Sequence, residues 1–199
     1  MSYLDDSLGH LEIFEGTVPW MYLDTKGFVT VGVGEMLANA PKAQTLAFVD
    51  SAGQPSTQDA IHAEFNRVSS LLPAKTAGFY RLPTSPVLPH AAIDTLLMNH
   101  LNLFDGQLAG RFPAYASFPD PAKLGLLDMI YNLGAAKLFG TFSHFMSSVD
   151  NQDWLGAAAN CHRVGPNQAR NDWTKQQFIT AAATPASGPA TSASTAATT

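Results

Sequence analysis

The chain has 199 residues, of which 46% are hydrophobic and 10% aromatic, enough to bury a substantial core in one domain. Its formal net charge of −5 and its lack of Lys or Arg clusters argue against nucleic-acid binding and binding to an anionic membrane surface. Cys161 is the only cysteine, which excludes an intramolecular disulfide and a cysteine-rich metal site.

The first predicted elements are an amphipathic helix and a β-hairpin. Leucines recur at helical spacing before Glu15, and Gly16 follows as a helix stop. Residues 20–33 indicate two strands around a turn at 24–27, because β-branched and aromatic residues flank a polar turn sequence ending in glycine. We expect the glycines that follow to end this sheet.

The rest of the chain is predicted to be mostly helical, so the expected fold class is α+β. A capping sequence at 56–59 precedes one helix, and a long helix follows a proline-rich connection. Further helices are predicted at 120–134, near 142–149, at 154–161 and from 167 to 178. From residue 181 the Ala, Thr, Ser and Pro bias predicts a disordered tail over 181–199.

Two carboxylates near the start of the chain have the positions that glycoside hydrolysis requires. Such hydrolysis needs a protonated acid for the leaving oxygen and a second carboxylate that attacks or activates water. Glu15 ends an apolar stripe at the negative end of a helix, which suits a proton donor, and Asp24 in a polar turn suits the ionised partner. Taken singly, each also fits a structural role, as a helix-terminal glutamate and an Asp-x-x-Gly turn.

The segment EGTVPWMYLDTKGFVTVGVG, from Glu15 to Gly34, resembles the catalytic segment of the phage-type (T4-like) lysozymes, the muramidases of glycoside hydrolase family 24. In that family a Glu-Gly pair ends the first helix and a Tyr-x-Asp-x-x-Gly-x-x-Thr-x-Gly-x-Gly hairpin follows. The matching residues occur in order and without insertion: Glu15, Gly16, Tyr22, Asp24, Gly27, Thr30, Gly32 and Gly34.

The resemblance implies one catalytic domain over residues 1–180 with a two-lobed, lysozyme-like fold. A small hairpin lobe would span about 15–88, a connecting helix about 89–110, and a helical lobe about 111–180 together with the N-terminal helix. The substrate would lie in the cleft between the lobes. The stretch 38–89 is longer than in the family and aligns poorly, so its role is left open.

The resemblance also implies an activity and the residues that perform it. Glu15 would be the general acid, Asp24 the second carboxylate, and Thr30 would help to hold the attacking water. The reaction would be cleavage, with inversion, of the β-1,4 bond between N-acetylmuramic acid and N-acetylglucosamine in peptidoglycan. Tyr22 and Gly34 would belong to the substrate-binding segment, whereas Phe28 is expected to pack within the small lobe.

Two further features come from comparing this chain with the family. Family members often place an arginine of the last helix near the acid, and here Arg170 is the first candidate and Arg163 the second. In the best-known member a histidine after the hairpin pairs with an aspartate on the connecting helix. Glu35 and His100 stand at those two positions, so we expect a structural pair of exchanged polarity.

Cofactors, partners and location follow from the same reasoning. No cofactor is implied, and no metal is expected because the six histidines are scattered without ligand spacing. The start of the chain does not resemble a signal peptide and no stretch suits membrane insertion, so we expect synthesis in the cytoplasm and action on the wall after release or delivery to the periplasm. A phage endolysin and a secreted antibacterial effector, with a secretion carrier or immunity protein as partner, both fit. The alternative is a catalytically inactive, lysozyme-like module that binds peptidoglycan.

Overall fold

The computed structural model describes residues 2–184, and the chain divides into two compact units. The first, here called the sheet unit, is Leu8–His100; the second, the helical unit, is Met1–Ser7 with Leu101–Thr199. The described residues are mostly helical and carry one small antiparallel sheet. The predicted α+β, mostly helical class is therefore confirmed.

Two helices contain residues of both units: α1 (Tyr3–Glu15) and α5 (His90–Arg111). The other elements of the sheet unit are β1 (Val18–Leu23), β2 (Val29–Gly32), β3 (Glu35–Met36), α2 (Ala40–Gln44), α3 (Gln58–Ser69) and α4 (Ala77–Tyr80). Those of the helical unit are a 3₁₀ turn (Tyr115–Ser117), α6 (Asp120–Leu133), α7 (Ala135–Thr141), α8 (Ser143–Asp150), α9 (Trp154–Asn160) and α10 (Gln168–Ala183).

The sheet has the order β1-β2-β3 and is antiparallel throughout. The predicted hairpin is present, but the sheet continues past the glycines that were expected to end it. Gly32 and Gly34 adopt φ values of +67° and +84°, which L side chains rarely adopt, and they allow the chain to turn back as β3. A Cβ at Gly32 would also come within 3.2 Å of Ile93 Cγ2, so glycine is required there on both counts.

The long stretch 38–89 packs as part of the sheet unit. Thr57 caps α3, its side chain accepting the Ala60 N–H at 3.2 Å. Val87 then pairs with Trp20 of β1 and with Val49. This stretch therefore extends the edge of the hairpin instead of forming a separate domain.

The helical unit follows the predicted capping pattern closely. Asp153 caps α9 and Asn167 caps α10 through side-chain acceptance of backbone N–H groups. Gly134 ends α6 with φ +75°, but α7, which was not predicted, begins directly after it. Helix α10 continues to Ala183, so the predicted disorder is wrong for residues 181–183, and the rest of the prediction, from 185 to 199, lies outside the described residues.

Each unit has its own apolar core. Fully buried side chains of the sheet unit are Met21, Val31, Leu37, Phe48, Ile61, Val68, Tyr80, Leu88, Ile93 and Leu97. Those of the helical unit are Leu108, Phe112, Leu126, Leu127, Met129, Ile130, Leu138, Phe145, Val149 and Phe178. Within residues 2–184, no helix is both long enough and apolar enough to cross a bilayer.

Close packing of α6 against α10 predicts the effect of one substitution. A Cβ at Gly125 of α6 would lie 2.6 Å from Phe178 Cζ, whereas a Cβ at Gly106 of α5 would meet nothing within 4 Å. We expect Gly125→Ala to lower the free energy of unfolding by about 1–3 kcal/mol through overpacking. Gly106→Ala should raise it by roughly 0.5–1 kcal/mol, since alanine favours a helix over glycine. Urea unfolding of both variants checks this, and equal effects would contradict the packing argument.

Candidate functional site

Asp24 begins the turn between β1 and β2, and its carboxylate fixes the shape of that turn. Asp24 Oδ1 accepts the backbone N–H groups of Lys26 and Phe28, both at 2.8 Å. The Asp24 N–H donates to Phe28 O, and Gly27 N–H donates to Asp24 O, both at 3.0 Å. Both side-chain hydrogen bonds from described residues end on Oδ1, which leaves Oδ2 available to another ligand.

Thr30 lies on β2 directly opposite Tyr22 of β1. Residues directly opposite each other in an antiparallel pair have side chains on the same face of the sheet. Thr30 is buried, and its Oγ1 donates to Phe28 O at 3.0 Å. A hydroxyl oxygen can also accept hydrogen bonds. Thr30 Oγ1 can therefore still accept one on the face of the sheet that Thr30 shares with Tyr22.

Glu15 is the last residue of α1 and its side chain is exposed. The apolar stripe that precedes it in the helix therefore does not enclose it. Burial raises the pKa of the Tyr22 phenol, and the negative charges of Asp24 and Glu15 raise it further. Glu15 and Asp24 are therefore both within electrostatic range of Tyr22, and these residues and Thr30 all belong to the sheet unit.

A pocket of about 390 Å³ lies beside Asp24. Its lining residues come from the hairpin, from the loop before α4 and from the first residue of α4: Tyr22, Leu23, Asp24, Thr25, Ala74, Lys75 and Ala77. Ala74 adopts φ +59°, an uncommon backbone conformation that is typical of functional loops. Sequence reasoning missed Lys75, because nothing local links this loop to the hairpin.

Phe28 corrects another expectation about the hairpin. It was expected to pack inside the small lobe, but 50% of its surface is exposed. Its backbone donates to Asp24 Oδ1, so an exposed aromatic ring follows directly from the turn that Asp24 stabilises. Phe28 comes directly before β2, whose four residues are all buried, so no alternation along the strand could have revealed its exposure.

Gly34 lies in the turn between β2 and β3 and is exposed. A Cβ placed on it would meet no atom within 4 Å, although its φ of +84° disfavours any other residue. Its backbone is therefore accessible from outside, which is compatible with the predicted substrate-binding role.

Glu35 and His100 are in contact, as the alignment argument expected. His100 Nε2 lies 2.5 Å from Glu35 Oε2, and Lys42 Nζ of α2 lies 3.2 Å from Glu35 Oε1. The hydrogen bond to His100 lowers the pKa of the Glu35 carboxyl, Lys42 lowers it further, and burial opposes both. The pair joins β3 to α5 within the sheet unit, and Lys42 is a partner that the sequence did not reveal.

The two candidate arginines both bind one buried aspartate of the helical unit. Arg163 Nη2 lies 2.6 Å from Asp128 Oδ2, and Arg170 Nε lies 2.8 Å from Asp128 Oδ1. Thr174 Oγ1 donates to Asp128 Oδ2 at 2.5 Å. The Arg163 side chain is 0% exposed and that of Arg170 is 5% exposed. Direct contact with a substrate is thus excluded for Arg163 in this structure, and both arginines are buried.

No family model matches this chain, and no curated protein is significantly similar to it. The resemblance to phage-type lysozymes therefore depends on the motif from Glu15 to Gly34 and on the geometry around it.

The lowered pKa of Glu35 predicts a loss of stability in acid. A carboxyl whose pKa is lower in the folded than in the unfolded chain stabilises the fold above its ordinary value of 4.5, and this stabilisation disappears as the pH falls through the folded value. We expect the free energy of unfolding to fall between pH 6 and pH 3 more steeply for the native chain than for Glu35→Gln. Parallel profiles of the two proteins in urea unfolding would contradict the assignment; His100→Gln should flatten the slope as well.

Proposed function

We propose that the chain is a peptidoglycan hydrolase, a muramidase that cleaves the β-1,4 bond between N-acetylmuramic acid and N-acetylglucosamine. The observation that carries the proposal is the turn geometry: Oδ1 of Asp24 is held by the N–H groups of Lys26 and Phe28, on a hairpin in which Thr30 faces Tyr22. Glycosidic hydrolysis requires two carboxylates in different environments, and half-buried Asp24 and exposed Glu15 supply them. The order of the motif, from Glu15 to Gly34, supports the same chemistry.

In the proposed mechanism Glu15 protonates the leaving oxygen, and its exposed position at the end of α1 lets it reach a sugar chain. Asp24 uses Oδ2 to activate water, because Oδ1 is occupied by the turn. Thr30 Oγ1 helps to orient that water. Inversion requires the two carboxyl groups to stand roughly 6.5–9.5 Å apart, leaving room for the water.

The aromatic residues give the proposed substrate a surface. Phe28 is half exposed next to the turn, and a sugar face can stack on its ring, with Tyr22 beside the bond that is cleaved. The protein needs no cofactor for this reaction. It acts as an endolysin or as a secreted effector, reaching the wall after release or delivery to the periplasm, and an effector would have an immunity protein as partner.

A second candidate function is a module that binds peptidoglycan without cleaving it. The observation in its favour is the hydrogen bonding of Asp24, since two backbone N–H groups on one oxygen are sufficient to explain an aspartate at this turn. Separating the two functions requires a substitution that keeps the turn and removes the charge.

The substitution Asp24→Asn keeps the turn and removes the charge, so it distinguishes cleavage from binding alone. The asparagine amide oxygen can accept the same two N–H groups, but it cannot act as a base. We expect Asp24→Asn and Glu15→Gln each to lose about 10²–10⁴-fold in the rate of clearing a purified peptidoglycan suspension, with melting temperatures close to that of the native chain. Asp24→Ala is the matched control, because it removes both the charge and the turn acceptor and should also be less stable.

The products of the reaction distinguish the remaining outcomes. Mass spectrometry of the digest should find new reducing N-acetylmuramic acid ends, and NMR of the fresh product should find the α-anomer that inversion generates. Equal lack of clearing by the native chain, Glu15→Gln and Asp24→Asn would support the binding module instead, and equal clearing would contradict the catalytic roles of Glu15 and Asp24.

Lys75 predicts how the pocket beside Asp24 contributes to binding. Its side chain carries a positive charge at the rim of this pocket, where the carboxylates of muramic acid and its peptides are the matching groups. We expect Lys75→Glu to raise KM on peptidoglycan with little change in kcat, and Lys26→Glu, on the exposed turn, to have a smaller effect. A fall in kcat with unchanged KM would contradict a role in binding.

A further inference from the structure

Away from the hairpin, α1 and α5 bring three metal-ligating side chains together in the sheet unit. One ligand atom each from Glu12, His90 and Asp94 lie within 4.8 Å of one another. His90 Nε2 is 3.5 Å from Glu12 Oε1, and His90 Nδ1 is 2.9 Å from Asp94 Oδ1. His90 and Asp94 are four residues apart on α5, which places them on the same face of the helix.

Two buried oxygens of this cluster face His90 without an aligned hydrogen bond. Glu12 Oε1 and Asp94 Oδ1 are both enclosed, and no donor is aligned to hydrogen-bond either of them. Burial raises the pKa of the Glu12 carboxyl, and Asp94 raises it further against the opposing effect of His90. Buried acceptors without donors are costly, so the protein alone does not satisfy the cluster.

We propose that Glu12, His90 and Asp94 bind one divalent transition-metal ion, with Zn²⁺ as the best match. Imidazole nitrogen and carboxylate oxygen are ordinary Zn²⁺ ligands, and three protein ligands leave a fourth position for water. Two ionised carboxylates balance the charge of the cation, and His90 is exposed enough to leave one side open to solvent.

The geometry of the cluster is close to what such an ion needs. Ligands about 2.0–2.2 Å from Zn²⁺ stand roughly 3.4 Å apart at a tetrahedral angle, and the three ligand atoms, one from each residue, lie within 4.8 Å of one another. Only one ring nitrogen of His90 can bind a single ion: Nε2, 3.5 Å from Glu12 Oε1, or Nδ1, 2.9 Å from Asp94 Oδ1. Rotation of exposed His90 would suffice to bring its nitrogen into place. The sequence argument against a metal site considered the histidines alone, which form no ligand pattern, whereas Glu12 of this cluster comes from a different helix.

The proposal is independent of the muramidase activity, but it has a consequence for the end of α1. Glu12 lies three residues before Glu15, so a bound ion would tie the last turn of α1 to the start of α5. Metal binding should therefore raise the melting temperature of the native chain.

Isothermal titration of the chelator-treated full chain with ZnCl₂ tests the site. We expect one ion per chain, and Glu12→Gln, His90→Ala and Asp94→Asn should each weaken binding at least about tenfold, because even outer-shell changes cost 10–100-fold. His62→Ala removes an exposed histidine of α3 and should leave binding unchanged. Glu15→Gln should also bind Zn²⁺ normally, which separates this site from the catalytic proposal.

Circular dichroism shows whether each variant is folded, and Co²⁺ offers a second readout. The visible spectrum of the Co²⁺ complex should change in His90→Ala if the imidazole is a ligand. Absence of saturable binding would overturn the proposal. So would binding that persists in the triple variant, which would mean an adventitious ion only.

Discussion

The candidate site depends on how Asp24 divides its two carboxylate oxygens. Oδ1 holds the turn through Lys26 and Phe28, and this turn sets the pairing of Tyr22 with Thr30. A carboxylate that accepts two backbone N–H groups is held in one orientation, which pre-organises the other oxygen. The Asp24 side chain that stabilises the hairpin would thus also orient the proposed base. Oδ1 holds the turn and Oδ2 would act on water, so the two roles use different atoms.

The buried carboxylates of the sheet unit show why the Glu12 cluster is unusual. Glu35 has His100 and Lys42 as partners, and Glu64 has Arg67 and Ser85. For Glu64 burial raises the pKa, but these partners outweigh burial and the net effect lowers it. The pKa of Glu12 shifts in the opposite direction, because burial raises it and Asp94 raises it further, against the effect of His90. Bound at the proposed cluster, a cation would give this carboxylate the positive partner that Glu35 and Glu64 have.

Much of the fold could be predicted because its signals are local. The turn at Asp24 and the caps at Thr57 and Asn167 are set by a few neighbouring residues. The structure has these elements at the predicted positions. Strand β3 was not predicted, because two residues after a glycine turn are too few to show the alternating pattern of a β-strand. The positions of Lys42 and Lys75 beside the site were missed for a different reason: they depend on how the long stretch 38–89 folds back, which no local pattern encodes.

The arginines show why a role transferred by alignment needs its own test. The guanidinium groups of Arg163 and Arg170 bind the buried carboxylate of Asp128, and the expectation that one of them lies near Glu15 stays a prediction. Removing one partner of a buried ion pair typically costs about 3–5 kcal/mol, so loss of activity in an arginine variant would follow from unfolding alone. The case for chemistry therefore has to come from substitutions such as Asp24→Asn, in which the hydrogen bonds stay and only the charge is removed.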